Sequence, residues 1–166
     1  MSRWWNVIAR RGDRDRAVSI TITHVLTIAV TTILIAMLLT SASTMLDTET
    51  DRSTESSLET IGERLADEIG NVDQIAGASD DTVAMVADHP RRAAASGYTV
   101  ELETSCSASL LDGSTDCLIL TANSADVVVY VPIKTDRPIA DGSDAAGGPI
   151  EIRYDSTEIS ITEGPR

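Results

Sequence analysis

Two cysteines are the residues of this chain whose spacing most directly suggests chemistry. Cys106 and Cys117 are separated by ten residues that include the turn pair Asp112-Gly113. If the flanking segments are antiparallel strands joined by this loop, the two Cα atoms approach within the ~7 Å that a disulfide requires. Such a bridge would stabilise the fold by roughly 2–3 kcal/mol. The alternative is a pair of unbridged buried thiols, while a zinc site would need histidine ligands that this region does not offer.

The other candidates for catalysis or metal binding do not form a set. His24 lies in an uncharged apolar stretch, where an ionisable group is either functional or a neutral, hydrogen-bonded structural residue. His89 precedes Pro90 and has no serine or cysteine nucleophile pattern beside it. The acidic segment 141–144 lacks the alternating ligands and terminal glutamate of a calcium-binding loop, and we interpret it as a solvated turn. The sequence therefore predicts no catalytic residue, no metal site, no cofactor and no enzymatic activity.

Charge divides the chain into three parts. Residues 1–16 carry five arginines and two aspartates, residues 17–46 carry no Asp, Glu, Lys or Arg, and the remaining 120 residues carry 24 acidic and eight basic side chains. As a helix, the uncharged stretch would be about 45 Å long, against a hydrocarbon core of about 30 Å. Basic residues favour the cytoplasmic side, so we expect a single-pass membrane protein with a cytoplasmic N-terminus and an extracellular C-terminal domain.

The acidic part carries a further indication in its composition. Asp and Arg outnumber Glu and Lys, and the single lysine is Lys134. Carboxylates hold hydration in strong brine, where their repulsion is screened within about 3 Å at 1 M salt. This composition favours a halophilic protein, with an ordinary acidic domain as the alternative. It argues against nucleic acid as a partner, because the domain would repel phosphates.

Three threonines lie one turn apart within the apolar stretch. Thr23, Thr27 and Thr31 share one helix face. A stripe of small polar residues permits close approach of helices in lipid, so these threonines are candidates for helix–helix packing. The alternative is that their hydroxyls are tolerated through bonds to the carbonyl one turn back.

A charged segment leads directly into the apolar stretch through Asp13-Arg14-Asp15-Arg16-Ala17-Val18-Ser19-Ile20. This arrangement resembles the class III signal of archaeal type IV pilins, and more closely that of pilin-like proteins of halophilic archaea. The resemblance implies that a prepilin peptidase recognises Arg16, Ala17 and Val18 and cuts between Ala17 and Val18. The retained helix would then pack with other pilin-like subunits. One departure is Ile22, which stands where many bacterial pilins have a glutamate.

These features support two hypotheses of function. In the first, the protein is a minor pilin or pseudopilin: its leader, residues 1–17, is removed, and its helix, residues 18–46, enters a type IV pilus-like surface filament. In the second, the leader is never cut and the helix permanently anchors an extracytoplasmic surface or envelope protein with a partner-binding domain. A secretory signal cleaved after the apolar stretch is a third arrangement, but its apolar region would span only about 7–15 residues.

Beyond the membrane segment the apolar residues follow helical spacing. Residues 47–96 are predicted to be an extracytoplasmic amphipathic helical region, following a stretch of weak helix formers at 41–57 that would bend or loosen the helix. A second short helix is predicted over residues 80–87, ending before Pro90. The apolar stripe of the first helix comprises Leu58, Ile61, Leu65, Ile69, Val72 and Ile75.

From residue 97 the apolar period changes to two. Strands are predicted over residues 98–102, 118–121 and 127–131, a hairpin over 150–154 and 159–161, and a loop over 138–149. Residues 97–166 are therefore predicted to form an antiparallel β domain. The predicted fold class is α+β: a long N-terminal hydrophobic helix, an amphipathic extension, and a small antiparallel sheet, as in type IV pilins.

Overall fold

The fold is α+β, as predicted. A computed structural model describes residues 5–79, 81–109 and 111–165, without the side chains of residues 5–20, 44 and 79. The chain forms two compact units, Met1–Asp47 and Thr48–Arg166. The described residues form one helix and seven strands: α1 (Trp5–Ser79), β1 (Val83–Asp88), β2 (Tyr98–Ala108), β3 (Leu111–Ala122), β4 (Val128–Pro132), β5 (Asp144–Ala146), β6 (Pro149–Tyr154) and β7 (Ile159–Glu163).

Helix α1 continues through the serine- and threonine-rich stretch, so the predicted loosening over residues 41–57 is wrong. The hydroxyl of Thr54 donates to the carbonyl of Thr50 at 2.9 Å. The hydroxyl of Ser57 donates to the carbonyl of Ser53 at 2.7 Å. Because these side chains bond to the helix's own carbonyls, they are accommodated within it instead of ending it.

The C-terminal part of α1 buries the predicted apolar stripe, with one exception. Leu58, Leu65 and Ile69 are completely buried, whereas Ile75 is 54% exposed. Ala76 is buried in its place, because a step of four from the buried Val72 continues the inward face of a helix with 3.6 residues per turn. The prediction was therefore wrong at its last position.

Seven strands form two antiparallel sheets in the unit Thr48–Arg166, with orders β1-β6-β7 and β4-β3-β2-β5. Segment 138–143 joins them: the amide of Ala140 donates to Ile159 in the first sheet at 2.8 Å, and the amide of Leu102 in the second donates to Ser143 at 2.9 Å. The loop predicted over residues 138–149 therefore contains a strand, β5, which pairs with β2 through Val100↔Ala145.

The predicted second helix over residues 80–87 is wrong, because this segment contains β1. β1 pairs with β6 from Val83↔Tyr154 to Asp88↔Pro149. Its side chains alternate between more and less exposed positions. Since five of its six residues are apolar, burial alternates without a matching alternation of residue type. β1 consequently lies within residues 47–96, which the sequence had assigned to the helical region.

The other predicted strands are confirmed. β6 and β7 form the predicted hairpin, with Ile152 opposite Ile161. β3 pairs with β2 on one side and with β4 on the other, through Val100↔Leu120 and Leu120↔Val129. Their inward residues join the helix stripe in one buried apolar cluster that includes both sheets.

Gly62 allows α1 to lie close to the sheet. A Cβ atom at this position would be 2.6 Å from Cγ2 of Val131 and 2.8 Å from Cδ1 of Leu120, distances that real Cβ atoms do not show. Gly70, in the same helix, has no atom within 4 Å of the equivalent point. The helix tolerates the poor helix former Gly62 because a side chain there would overlap the sheet.

We expect Gly62→Val to lower the free energy of unfolding by about 1–3 kcal/mol, the usual cost of overpacking a filled core. Gly70→Val is the matched control and should change it by less than about 0.5 kcal/mol, because the added methyl groups enter open space. Thermal unfolding of the full chain in detergent, followed by circular dichroism, measures both. Equal effects at the two positions would contradict the close helix–sheet contact.

Polar contacts hold the C-terminal end of α1 against the segment that follows β4. The Asp73 carboxylate accepts the backbone amides of Asp136 at 2.9 Å and Arg137 at 3.2 Å. The Arg137 guanidinium donates to the Ala76 carbonyl at 2.9 Å and stacks 4.8 Å from the ring centroid of Tyr154. A cation is favourable at the negative end of a helix dipole. Arg137 thus ties the end of α1 to both the loop after β4 and the first sheet.

Candidate membrane and assembly segment

Helix α1 leaves its described large apolar side chains uncovered between Ile22 and Leu46. Every large apolar side chain described between Ile22 and Leu46 is about half exposed or more, from 49% at Val30 to 72% at Met45. Soluble monomers rarely expose continuous apolar surface on this scale. The described part of the chain contains one helix long and apolar enough to cross a membrane, judged by length and composition. These side chains need lipid or another apolar surface around them.

The predicted threonine stripe satisfies its own polar groups. The hydroxyl of Thr27 donates to the carbonyl of Thr23 at 2.8 Å, and that of Thr31 donates to the carbonyl of Thr27 at 2.7 Å. Hydroxyls bonded in this way can enter hydrocarbon without an unpaired donor. These hydrogen bonds are compatible with both interpretations of the stripe: threonines tolerated within lipid, and threonines at a close helix–helix contact.

The residues of the predicted cleavage site are part of helix α1. Arg16, Ala17 and Val18 fall within Trp5–Ser79, and their side chains lie outside the described ones. The assignment of these three residues to leader processing remains a prediction from the sequence.

The predicted disulfide is present between Cys106 and Cys117, whose Cα atoms are 6.0 Å apart. It lies at the base of an arm formed by residues 104–116 of β2 and β3. β4 reaches β3 no further than Cys117, and β5 reaches β2 no further than Glu101. Beyond those points the arm strands pair only with each other among the described strands, so the disulfide holds the arm where the sheet ends.

The acidic turn around Asp141 has a structural part in the fold. Its carboxylate accepts the backbone amide and the hydroxyl of Thr104, at 2.8 and 2.9 Å. The hydrogen bond from the Thr104 amide, and to a smaller extent that from its hydroxyl, lower the pKa of Asp141 below its usual value. Within the described residues no three His, Cys, Asp or Glu side chains converge on a point where a metal could bind.

His89 has contacts that the sequence did not indicate. Its side chain is completely enclosed, and Nε2 lies 2.7 Å from Oε2 of Glu68 on α1. Glu68 also pairs with Arg64 at 3.4 Å. The contact joins the end of β1 to the helix across 21 residues of sequence, a separation at which no local pattern reveals a pair. Within the described residues Nδ1 of this imidazole has no hydrogen-bond partner, so no serine or cysteine nucleophile is bonded to it.

Tyr98 is buried, and it contacts Pro90, the residue that follows His89. Its hydroxyl donates to the Pro90 carbonyl at 2.7 Å. Burial raises the pKa of Tyr98 to about 12, so the phenol remains a donor at physiological pH. Gly147 packs against the ring so closely that a Cβ atom there would be 2.6 Å from Cε1 of Tyr98.

A family model described as a family of unknown function, DUF7266, matches residues 13–162 of the chain. The match includes the end of the basic segment, the apolar helix and nearly all of the sheet region. No curated protein and no solved structure gave a significant match.

Proposed function

The chain belongs to the family of unknown function DUF7266, and we propose that it is a pilin-like, membrane-inserted subunit with a structural role and no enzymatic one. A prepilin peptidase removes the leader between Ala17 and Val18. The released helix then packs with helices of other pilin-like subunits in a surface filament, with the sheet unit outside the cell.

One observation carries this proposal: a single helix has two different surfaces. Its apolar side chains from Ile22 to Leu46 are exposed, whereas Leu58, Leu65 and Ile69 are completely buried against the sheets. The first part is therefore suited to lipid or to other helices, and the second is the central element of a folded domain. A subunit that passes from membrane to filament requires both surfaces.

Charge supports the direction of insertion. Residues 1–16, with five arginines and two aspartates, precede the apolar stretch, and the other 24 acidic side chains follow it. Removing residues 1–17 would remove the arginines that hold the N-terminus at the cytoplasmic surface. The remaining helix would then carry no Asp, Glu, Lys or Arg before Asp47.

The second candidate function is that of a permanently anchored surface protein with a partner-binding domain. The absence of an acidic residue at Ile22 favours it, because many bacterial pilins have a glutamate there. In this case the leader is retained and the uncovered helix remains in lipid.

The mature N-terminus distinguishes the two functions. We expect mass spectrometry of the full chain, produced in a host with a prepilin peptidase, to show a protein beginning at Val18. Ala17→Trp should abolish this processing, because it replaces the small residue before the cut. Ala17→Ser retains a small residue and should be processed as the unaltered chain is.

A start at Met1 or Ser2 in every fraction would contradict the pilin-like function and support the permanent anchor. Processing of Ala17→Trp at the same position would show that Ala17 does not define the cleavage site.

A further inference from the structure

The tripeptide Asp-Gly-Ser occurs twice in this chain, at residues 112–114 and at residues 141–143. An aspartyl side chain reacts with its own backbone most readily before glycine, because glycine has no Cβ to shield its nitrogen or restrict its rotation. Both aspartates are exposed, and both glycines have positive φ angles, +80° at Gly113 and +72° at Gly142. Since the two tripeptides are identical, a difference in their reactivity has to come from the fold around them.

The second tripeptide, residues 141–143, is held by contacts with strand β2. The Asp141 carboxylate accepts the backbone amide and the hydroxyl of Thr104, at 2.8 and 2.9 Å. The nitrogen of Gly142 donates to the carbonyl of Leu102 at 2.8 Å. The side-chain carboxylate and the neighbouring nitrogen are thus both bonded to β2, and they cannot rotate toward each other until these contacts open.

The first tripeptide, residues 112–114, has its carboxylate bonds within itself. The Asp112 carboxylate accepts the amide of Ser114 at 3.1 Å and its hydroxyl at 2.6 Å. The register of β2 and β3 skips Gly113 and Ser114, which places them in a bulge outside the ladder. A Cβ atom at Gly113 would have no atom within 4 Å. The backbone after Asp112 therefore has room to rotate without breaking a contact to a distant segment.

The state of the two carboxyl groups does not separate the sites. The hydroxyl of Ser114, and after it the amide, lower the pKa of Asp112, and the contacts of Thr104 lower the pKa of Asp141. Both side chains are carboxylates at neutral pH, so the protonated form that reacts is scarce at each. The difference lies in the backbone nitrogen, which is bonded to β2 at Gly142 and lies in a bulge at Gly113.

We propose that Asp112 is a site of spontaneous covalent modification, at which aspartate isomerises to isoaspartate in the folded protein. The Gly113 nitrogen bonds to Cγ of Asp112, and the protonated carboxyl group releases its hydroxyl as water together with the amide proton. Water then adds to the α-carbonyl carbon of the cyclic succinimide and breaks its bond to the nitrogen. Gly113 is thereby joined through the side-chain carbonyl, and the former α-carbonyl becomes the free carboxylate. The composition of the chain is unchanged, and the step needs no oxidant or reductant.

The fold can accommodate isoaspartate at this place. The modified residue adds one carbon atom to the main chain at a bulge that already has extra residues. The disulfide between Cys106 and Cys117 holds the arm at its base, so the change stays at the end of the arm. The same modification at Asp141 would displace its carboxylate from Thr104, a contact that holds segment 138–143 against β2.

Peptide mapping of the full chain, aged in detergent for several weeks at neutral pH, tests this proposal. An endoproteinase that cuts before aspartate and not before isoaspartate, followed by electron-transfer mass spectrometry, measures isoaspartate at each site. We expect Asp112 to isomerise at least about tenfold faster than Asp141, the ratio that an opening free energy of about 1.4 kcal/mol produces. The melting temperature of the aged protein should equal that of the fresh protein.

The denatured chain is the control for local sequence, because both tripeptides are then free and should isomerise at nearly equal rates. Asp112→Glu keeps the carboxylate and should give no isomerised product there, since its imide requires a larger ring that closes more slowly. Thr104→Val removes one bond to Asp141 and should raise the rate at that site alone.

Equal rates at the two sites in the folded chain would overturn the proposal. The same excess at Asp112 in the denatured chain would also overturn it, because the selectivity would then belong to the sequence and not to the fold. None of these outcomes depends on cleavage at Ala17 or on membrane insertion, so this proposal can fail separately from the proposed function.

Discussion

Replacing Leu34 with aspartate is expected to prevent most copies of the protein from inserting into the membrane. Leu34 lies within the uncharged stretch and is 55% exposed. The exchange of leucine for aspartate at the centre of a membrane helix costs about 3 kcal/mol, roughly a hundredfold in the insertion equilibrium. External protease digestion of intact cells measures the result: the sheet unit should become inaccessible in the variant.

The matched control places the same charge elsewhere on the same helix. Gln74 is exposed in the part of α1 that belongs to the folded unit. Gln74→Asp should leave membrane insertion unchanged, because this residue faces water in both functional hypotheses. If Leu34→Asp and Gln74→Asp left the same fraction of protein accessible, the uncovered stretch would not be the membrane segment.

Removing the disulfide is expected to produce the second large effect. Cys106→Ala together with Cys117→Ala should lower the free energy of unfolding by about 3 kcal/mol, because the open chain gains conformational freedom in the unfolded state. Residues 104–116 should also become the first site of proteolysis, since beyond Cys117 and Glu101 the two arm strands pair with no other described strand. Thermal unfolding and limited proteolysis of the full chain in detergent measure the two effects.

Reduction of the unaltered protein should reproduce the behaviour of the double variant. Ser107→Ala is the local control, because it changes an exposed arm residue and keeps the bridge. Equal melting temperatures for the double variant and the unaltered protein would show that the disulfide does not stabilise the fold.

The sequence predicted the elements whose patterns are local. The stripe from Leu58 to Val72 repeats at helical spacing, and the hairpin of β6 and β7 alternates between inward and outward residues, so both followed from sequence alone. The cysteine pairing followed from the turn between two strands. In each case neighbouring residues carry enough information to define the partner.

The errors occurred where distant partners decide the structure. β1 pairs with β6, about 65 residues away, and its nearly continuous apolar composition concealed its alternation. β5 is a strand because β2 lies beside it. Ile75 was expected inside, but a four-residue step from Val72 brings Ala76 to the inward face instead.

The apolar segment could be predicted from the sequence, but the contacts between residues distant in the chain could not. A stretch of thirty residues without charge was enough to predict the one described helix that is long and apolar enough to cross a membrane. The contact between His89 and Glu68, the close approach at Gly62 and the positions of β1 and β4 at sheet edges all depend on the folded arrangement of distant segments. Residue type alone does not distinguish an edge strand from a central one.

Fractionation of the full-length chain without detergent tests the central claim most directly, which is that residues 17–46 reside in lipid. We expect the protein to sediment with membranes, to remain there after washing with salt and alkali, and to be released by detergent. Recovery of the intact polypeptide as a soluble cytosolic monomer would contradict it.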